Sequence, residues 1–200
     1  MENSIKYSID SLKTIYAVIV ALAISQVLRI IIQGDTINDY WSNFKLYAPG
    51  FLSFFLLIVP FFQGMNRHFS FCYLEKETKI IDWALLIDFL IFTIEASLLF
   101  ILADSIKFGI QSFIFIGLVL FVDIIWALVS HLIHYRNLDN SVKRWSIINV
   151  ITLIFGTIIY LSENVFIGKD KEYVLLLLMI GRTFADYRSS WFFYFPILKK

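Results

Sequence analysis

The chain is expected to form an all-α bundle of membrane-spanning helices, and two features of the sequence predict this fold. Hydrophobic residues make up 59% of its 200 residues and aromatic residues 18%, and the mean hydropathy is +0.76. They are concentrated in six apolar runs separated by short polar segments. A helix needs ~20 apolar residues to cross ~30 Å of hydrocarbon. Because little chain remains outside the runs, residues 1–200 are predicted to form a single transmembrane domain.

Each apolar run is expected to be one helix of the bundle. The first five are long and apolar enough to predict a span directly. The sixth meets this criterion only in part, because Arg182, Asp186 and Arg188 interrupt its second half. The predicted spans are 12–32, 46–63, 80–103, 108–132, 145–161 and 173 to about 195.

The basic residues predict the orientation of these spans. With six spans, ten basic residues fall on one side of the membrane and four on the other. The positive-inside rule therefore places both termini in the cytoplasm. Aromatic residues are expected to form a belt at each membrane surface. The cytoplasmic belt is predicted to contain Trp83, Tyr135, Trp145, Trp191 and Tyr194.

Charged residues inside the predicted spans are the main candidates for function. Asp88 and Glu95 lie seven residues apart, which places them ~20° apart on one helix face. Arg182 and Asp186 form an i,i+4 pair in the sixth span. Glu95, Asp123, Arg182 and Asp186 all fall near the middle of their spans, so they are expected to meet inside the bundle.

Two interpretations of these charges are open. In the first, the carboxylates form a polar pathway that coordinates a cation or relays protons, and Arg182 controls their charge. In the second, the charges form a buried ion-pair network that determines helix order without any ligand. Glu95, Asp123 and Asp186 outnumber Arg182, and a purely structural network does not explain this excess of acid.

The end of the second span carries a further candidate feature, a kink that could act as a gate. Pro60 removes a backbone hydrogen bond within the helix and so frees a carbonyl group. Gly64, four residues later, allows either a close approach of another helix or a helix stop. Proline kinks also occur in membrane helices that have no gate, so both interpretations remain open.

Enzymatic, metal-binding and nucleic-acid-binding functions find little support. The chain has no glycine-rich phosphate loop, no GxSxG elbow and no HExxH motif. His131 and His134 could face one metal ion, but no second pair accompanies them. A formal net charge of +1 gives no basic stripe for nucleic acid. The single Cys72 is interpreted as an ordinary thiol. We therefore expect a non-enzymatic protein without cofactor or metal.

Two stretches carry a resemblance to known proteins. Pro60, Gly64, Arg67 and His68 follow the order Pro-Phe-x-x-Gly-x-x-Arg-His, and the sixth run contains Arg182, Asp186 and Tyr187 before an aromatic tail. These stretches resemble those of small bacterial multi-pass membrane proteins. In size and layout the chain is also similar to membrane components of anti-phage systems, such as the membrane subunit of Kiwa or the multi-pass accessory of type VI-B CRISPR loci. The resemblance implies an effector or sensor in the bacterial inner membrane that alters membrane integrity together with a partner.

Three functions from different classes are compatible with the sequence. The first is a channel or pore-forming component, expected to be a homo-oligomer because six short helices enclose no wide lumen. The second is a proton- or cation-coupled transporter of a small solute, in which Asp88, Glu95 and Asp123 would be the coupling acids. The third is a non-transporting membrane scaffold that recruits a cytoplasmic protein. All three place the chain in a lipid bilayer.

Overall fold

The computed structural model describes residues 2–75, 82–135, 141–162 and 169–195. These residues form six α-helices and no β-strand, which confirms the predicted all-α bundle. The helices are α1 (Glu2–Ile31), α2 (Ile37–Phe69), α3 (Asp82–Ser105), α4 (Ser112–Ser130), α5 (Ser141–Leu161) and α6 (Lys169–Tyr194).

Successive helices run in opposite directions. At one end of the bundle, Lys13 of α1 donates to Ser70 just after α2, and Arg67 of α2 donates to the carbonyl of Phe193 in α6. We call this the His68 end. At the other end, which we call the Gly109 end, Gln26 of α1 donates to Asp104 of α3. The first residues of α1 and the last residues of α6 therefore lie at the same end.

The six helices form a closed ring around an aromatic core. Going around it, the order is α1, α3, α4, α5, α6, α2 and back to α1. The chain does not simply pack each helix against the next, because α3 packs mainly on α1 and α6 packs on both α2 and α5. The four largest fully buried side chains are aromatic: Trp126, Phe54, Phe61 and Phe69.

Four stretches of the described residues are long and apolar enough to cross a membrane. They are Lys6–Ile31, Ile37–Leu74, Trp83–Ile133 and Val142–Leu161. The third contains two helices, α3 and α4, which pack against each other and are separated by a non-helical residue, Gly109, at φ 59. The structure therefore supports a membrane protein built as a helical bundle. Helix α6 is not among these four stretches. This agrees with the expectation that Arg182, Asp186 and Arg188 make its second half less apolar.

Helix α2 is longer than the predicted span at both ends. Its start at Ile37 lies within a segment that was expected to be a polar joint. The reason is a capping box, in which the Thr36 side chain accepts from the Asp39 backbone and the Asp39 side chain accepts from the Thr36 backbone. At the other end, the chain continues from Phe69 into a π-helical turn, Ser70–Glu75. Helical structure thus extends beyond the apolar residues that define the span.

The predicted cytoplasmic aromatic belt is only partly correct. Trp83 and Trp191 are exposed on the surface, as a belt requires, but Trp145 and Tyr194 are buried. The reason is that their rings fill space inside the ring of helices: Trp145 packs against Trp126 and Phe61, and Tyr194 bonds to Asp186. The Tyr135 side chain lies outside the described residues.

Candidate functional site

The first candidate site is a buried cluster centred on Asp88, at the His68 end. One carboxylate oxygen, Oδ2, lies 2.7 Å from His68 Nε2 and accepts a hydrogen bond of 2.6 Å from the Tyr73 hydroxyl. The other, Oδ1, accepts a hydrogen bond of 3.0 Å from the Trp126 indole. Cys72 Sγ lies 3.6 Å from His68 Nδ1 on the opposite side of the imidazole. We call these five residues the Asp88 cluster.

Local structure places the members of this cluster. His68 occupies the last turn of α2, and Cys72 and Tyr73 come from the π-helical turn that follows. The wider π turn changes which side chains face inward, and such turns are frequent at functional sites. Asp88 comes from α3 and Trp126 from α4. The Trp126 indole packs edge-on against the His68 imidazole, with ring centroids 4.9 Å apart. All five residues are buried, so the cluster joins three helices in the interior.

The second candidate site surrounds Arg182, nearer the middle of the bundle. Arg182 Nε donates to Asn149 Oδ1 at 3.0 Å, and the amide group of Asn149 in turn donates to Asp123 Oδ2. One turn further along α6, Asp186 Oδ2 lies 3.7 Å from Arg182 Nη1. Tyr194 donates its hydroxyl to Asp186 at 3.1 Å. These five residues, which we call the Arg182 cluster, link α4, α5 and α6.

The segment of α2 that was predicted to kink packs against this second cluster through Phe61 and Gly64. Phe61, next to Pro60, packs its ring 5.3 Å from the Arg182 guanidinium carbon. Helix α2 continues through Gly64 to Phe69, so Gly64 is not a helix stop. It provides a close approach instead, because a Cβ there would lie 3.7 Å from the Trp145 ring.

The carbonyl that Pro60 leaves without its helical donor has a partner in the bundle. Pro60 has no N–H group, so the carbonyl four residues earlier, at Leu56, loses its bond within the helix. The Thr183 hydroxyl of α6 donates to that carbonyl at 2.9 Å. Close by, the Tyr187 hydroxyl donates to Gln63 at 2.9 Å. The two stretches that carried the sequence resemblance are thus in direct contact.

Glu95 is the most unusual side chain of the interior. It is 0% exposed, and neither carboxylate oxygen has a hydrogen-bond partner among the described residues. The Tyr16 hydroxyl of α1 is also buried and also lacks such a partner. Glu95 lies seven residues after Asp88 on α3, about 10 Å along the helix axis, and α3 packs against α4, which carries Asp123. Glu95 belongs to neither hydrogen-bond network.

The balance of charge within this interior is negative. Asp123 and Asp186 share one cation, Arg182, whose Nη2 has no hydrogen-bond partner in the described part of the chain. Asp123 Oδ1 also has none. Burying an unpaired carboxylate is expensive, so such a group either binds a proton or receives compensation from water or a cation. The arrangement can thus take up and release protons or hold a small cation.

The sequence prediction that the midplane charges meet can now be compared with their positions. Asp123, Arg182 and Asp186 are brought together, whereas Asp88 lies apart in a separate cluster with His68. Glu95 belongs to neither hydrogen-bond network. Sequence reasoning identified all five charges, but Asn149 was not among the candidate residues. Its amide bridges Asp123 and Arg182. The signal available was a lone amide side chain within an apolar run.

Among the described residues, no group of three or more His, Cys, Asp or Glu side chains could hold a metal ion. The side chain of His134 lies outside the described residues, so the His131 and His134 pair is not placed.

Comparison of the chain with family models, with curated proteins and with solved structures found no match. Its function is therefore argued from its own residues.

Proposed function

We propose that this chain is an integral membrane protein with six spans and cytoplasmic termini, acting as a channel component that passes protons or small cations through its buried carboxylates. One observation carries the proposal: Glu95 is fully buried in an apolar bundle without any hydrogen-bond partner in the described residues. A carboxylate inside a membrane bundle is a sign of an ion or proton pathway.

The topology supports six spans. Helix α6 has 26 residues, a length of about 39 Å at 1.5 Å per residue, and it runs the length of the bundle between α2 and α5. Its charged residues Arg182 and Asp186 are buried against other helices. They would thus be shielded from lipid, which makes a charged span acceptable. An even number of crossings with the basic residues inside then gives cytoplasmic termini.

The position of the acids favours a pathway inside each chain over one between copies. Glu95 and Asp123 are both 0% exposed within a single bundle, so neighbouring copies in a homo-oligomer would not reach them. Aromatic side chains such as Phe61 and Phe92 are buried in the same bundle. Protons can pass along relays of acidic and histidine side chains, so they do not need a wide lumen. The proton is therefore the ion that this geometry supports best.

Flux through liposomes containing the purified chain tests the proposal. The variant Glu95→Gln, Asp123→Asn keeps the size of both side chains and removes their charge. We expect the wild type to dissipate a pH gradient and the variant to lose this activity while remaining folded. Asp104→Asn is the matched control, because Asp104 is partly exposed near the Gly109 end and pairs with Lys107. It should conduct like the wild type. Absence of flux in the wild type across pH and voltage would contradict the proposal.

A non-transporting membrane sensor is the second candidate, and the Arg182 cluster favours it. That cluster links three helices through specific polar contacts, and buried polar contacts of this kind can specify helix arrangement. A sensor of bacterial anti-phage defence with a cytoplasmic partner would need such a defined arrangement. For a sensor, neutralising Arg182 should disrupt assembly. No ionic flux should be found in the wild type or in the Arg182 variant. Saturable, pH-driven uptake of a solute would instead indicate a coupled transporter.

A further inference from the structure

The Asp88 cluster contains an ordered set of three groups whose chemistry goes beyond the proposed pathway. Cys72 Sγ lies 3.6 Å from one nitrogen of the His68 ring, and Asp88 lies 2.7 Å from the other. The imidazole therefore stands between a thiol and a carboxylate. In cysteine nucleophiles, one ring nitrogen takes the thiol proton, and a polar group on the other nitrogen orients the ring and stabilises its charged form.

The surroundings hold this set in one geometry. Asp88 accepts from Tyr73 at 2.6 Å and from Trp126 at 3.0 Å, so its carboxylate has little freedom to rotate away from His68. His68 and Cys72 are four residues apart, which places them on one side of the chain. The thiol is thus preoriented toward its base before any substrate arrives, which is the condition for an activated nucleophile.

The location of Cys72 indicates what kind of electrophile could reach it. It lies near the His68 end, in the π-helical turn, where the neighbouring Leu74 offers exposed apolar surface. Two basic side chains lie nearby: Arg67 one turn earlier, and Lys13, which donates to Ser70 at 2.9 Å. Apolar surface beside basic groups at a membrane boundary suits a molecule with a long acyl chain and an anionic head group.

We propose that Cys72 is an S-acylation site that takes a fatty acyl group from a phosphate-bearing acyl thioester, with His68 as base and Asp88 as its positioning residue. The Cys72 thiol passes its proton to His68 Nδ1, and the sulfur attacks the thioester carbonyl carbon. A new carbon–sulfur bond forms and the bond to the departing thiolate breaks. That thiolate takes the proton back from His68. The products are acylated Cys72 and a free thiol, with no change of oxidation state.

Palmitoyl-coenzyme A is the probe, added to the purified full-length protein in detergent micelles. Intact mass spectrometry follows a single palmitoyl adduct over time, and hydroxylamine should remove it because it is a thioester. Cys72→Ser should give no adduct. His68→Gln should slow its formation by about 100-fold, the usual lower contribution of a positioned base. An unchanged rate in His68→Gln, or no adduct on the wild type, would overturn the proposal.

Moving the thiol to another position distinguishes activation of Cys72 by His68 from mere accessibility of the thiol to the acyl donor. Cys72 is only 5% exposed, whereas Leu74 is 41% exposed. The double variant Cys72→Ser, Leu74→Cys therefore carries a more accessible thiol without the histidine contact. We expect it to acylate more slowly than the wild type. A rate equal to or above that of the wild type would show that exposure alone governs the reaction and would refute the proposal. This comparison remains decisive even if His68→Gln does not fold.

Discussion

Replacing Arg182 with methionine should destabilise the bundle strongly. The guanidinium donates to Asn149 at 3.0 Å, lies 3.7 Å from Asp186 and packs on the Phe61 ring at 5.3 Å. It is buried together with Asp186. The substitution keeps an apolar side chain of similar length but leaves Asp123 and Asp186 without their cation.

The size of the effect follows from these contacts. Removing one partner of a buried ion pair costs about 3–5 kcal/mol, because the remaining charge stays buried without compensation. The hydrogen bond from the charged guanidinium to Asn149 contributes about 1.5–3 kcal/mol by itself and is included in that range. We therefore expect Arg182→Met to lower the free energy of unfolding by about 4 kcal/mol. A second substitution, Asp186→Asn, removes the carboxylate that lies directly beside the guanidinium, at 3.7 Å, and should restore part of the loss.

Equilibrium unfolding in mixed micelles, followed by circular dichroism as the share of sodium dodecyl sulfate rises, measures these free energies. Arg188→Met is the matched control, because Arg188 lies on the same helix but is exposed. Exposed substitutions of this kind usually change stability by less than about 0.5 kcal/mol. The reasoning would be refuted by a loss in Arg182→Met no larger than in Arg188→Met. It would also fail if Asp186→Asn gave no rescue in the double variant.

Three further substitutions test local features, each by the same unfolding measurement. Thr36→Ala should cost about 1 kcal/mol by removing the cap of α2, and an unchanged stability would argue against the capping box. Thr183→Val should cost about 1–3 kcal/mol by leaving the Leu56 carbonyl without a donor, and a neutral result would mean that this carbonyl finds another partner. Gly109→Ala should cost about 1–2 kcal/mol for the positive φ, since its Cβ would also lie 2.7 Å from Glu172 Oε1. A stabilising result would contradict that expectation.

Periodicity predicted the fold and the pairs within one helix, because both depend on local spacing. The i,i+4 spacing of Arg182 and Asp186 predicted a pair, and the structure places their charged atoms 3.7 Å apart. The seven-residue spacing of Asp88 and Glu95 placed both on one helix face, and both are buried. Hydropathy was less informative about helix ends. It marks only the apolar part of a helix, so the capped polar start at Thr36 was assigned to a joint.

Partners on different helices could not be predicted in the same way. His68 contacts Asp88 because the packing of α2 against α3 brings them together, and helix packing does not follow from spacing along one helix. Asn149 was a similar case, since an amide among apolar residues fits helix packing as well as a charge bridge. The excess of acid was visible in the sequence, but only the structure shows that Glu95 is buried with neither carboxylate oxygen hydrogen-bonded among the described residues.

The central claim is that the buried acids form a conduction path, and proton flux in liposomes tests it most directly. The measurement compares the wild type with Glu95→Gln, Asp123→Asn and with the control Asp104→Asn, each shown to be folded by its elution from a sizing column. The account predicts flux in the wild type and in Asp104→Asn, and none in the double variant. Equal flux in all three proteins would show that protons do not pass through these carboxylates, and no flux in any would contradict an autonomous channel.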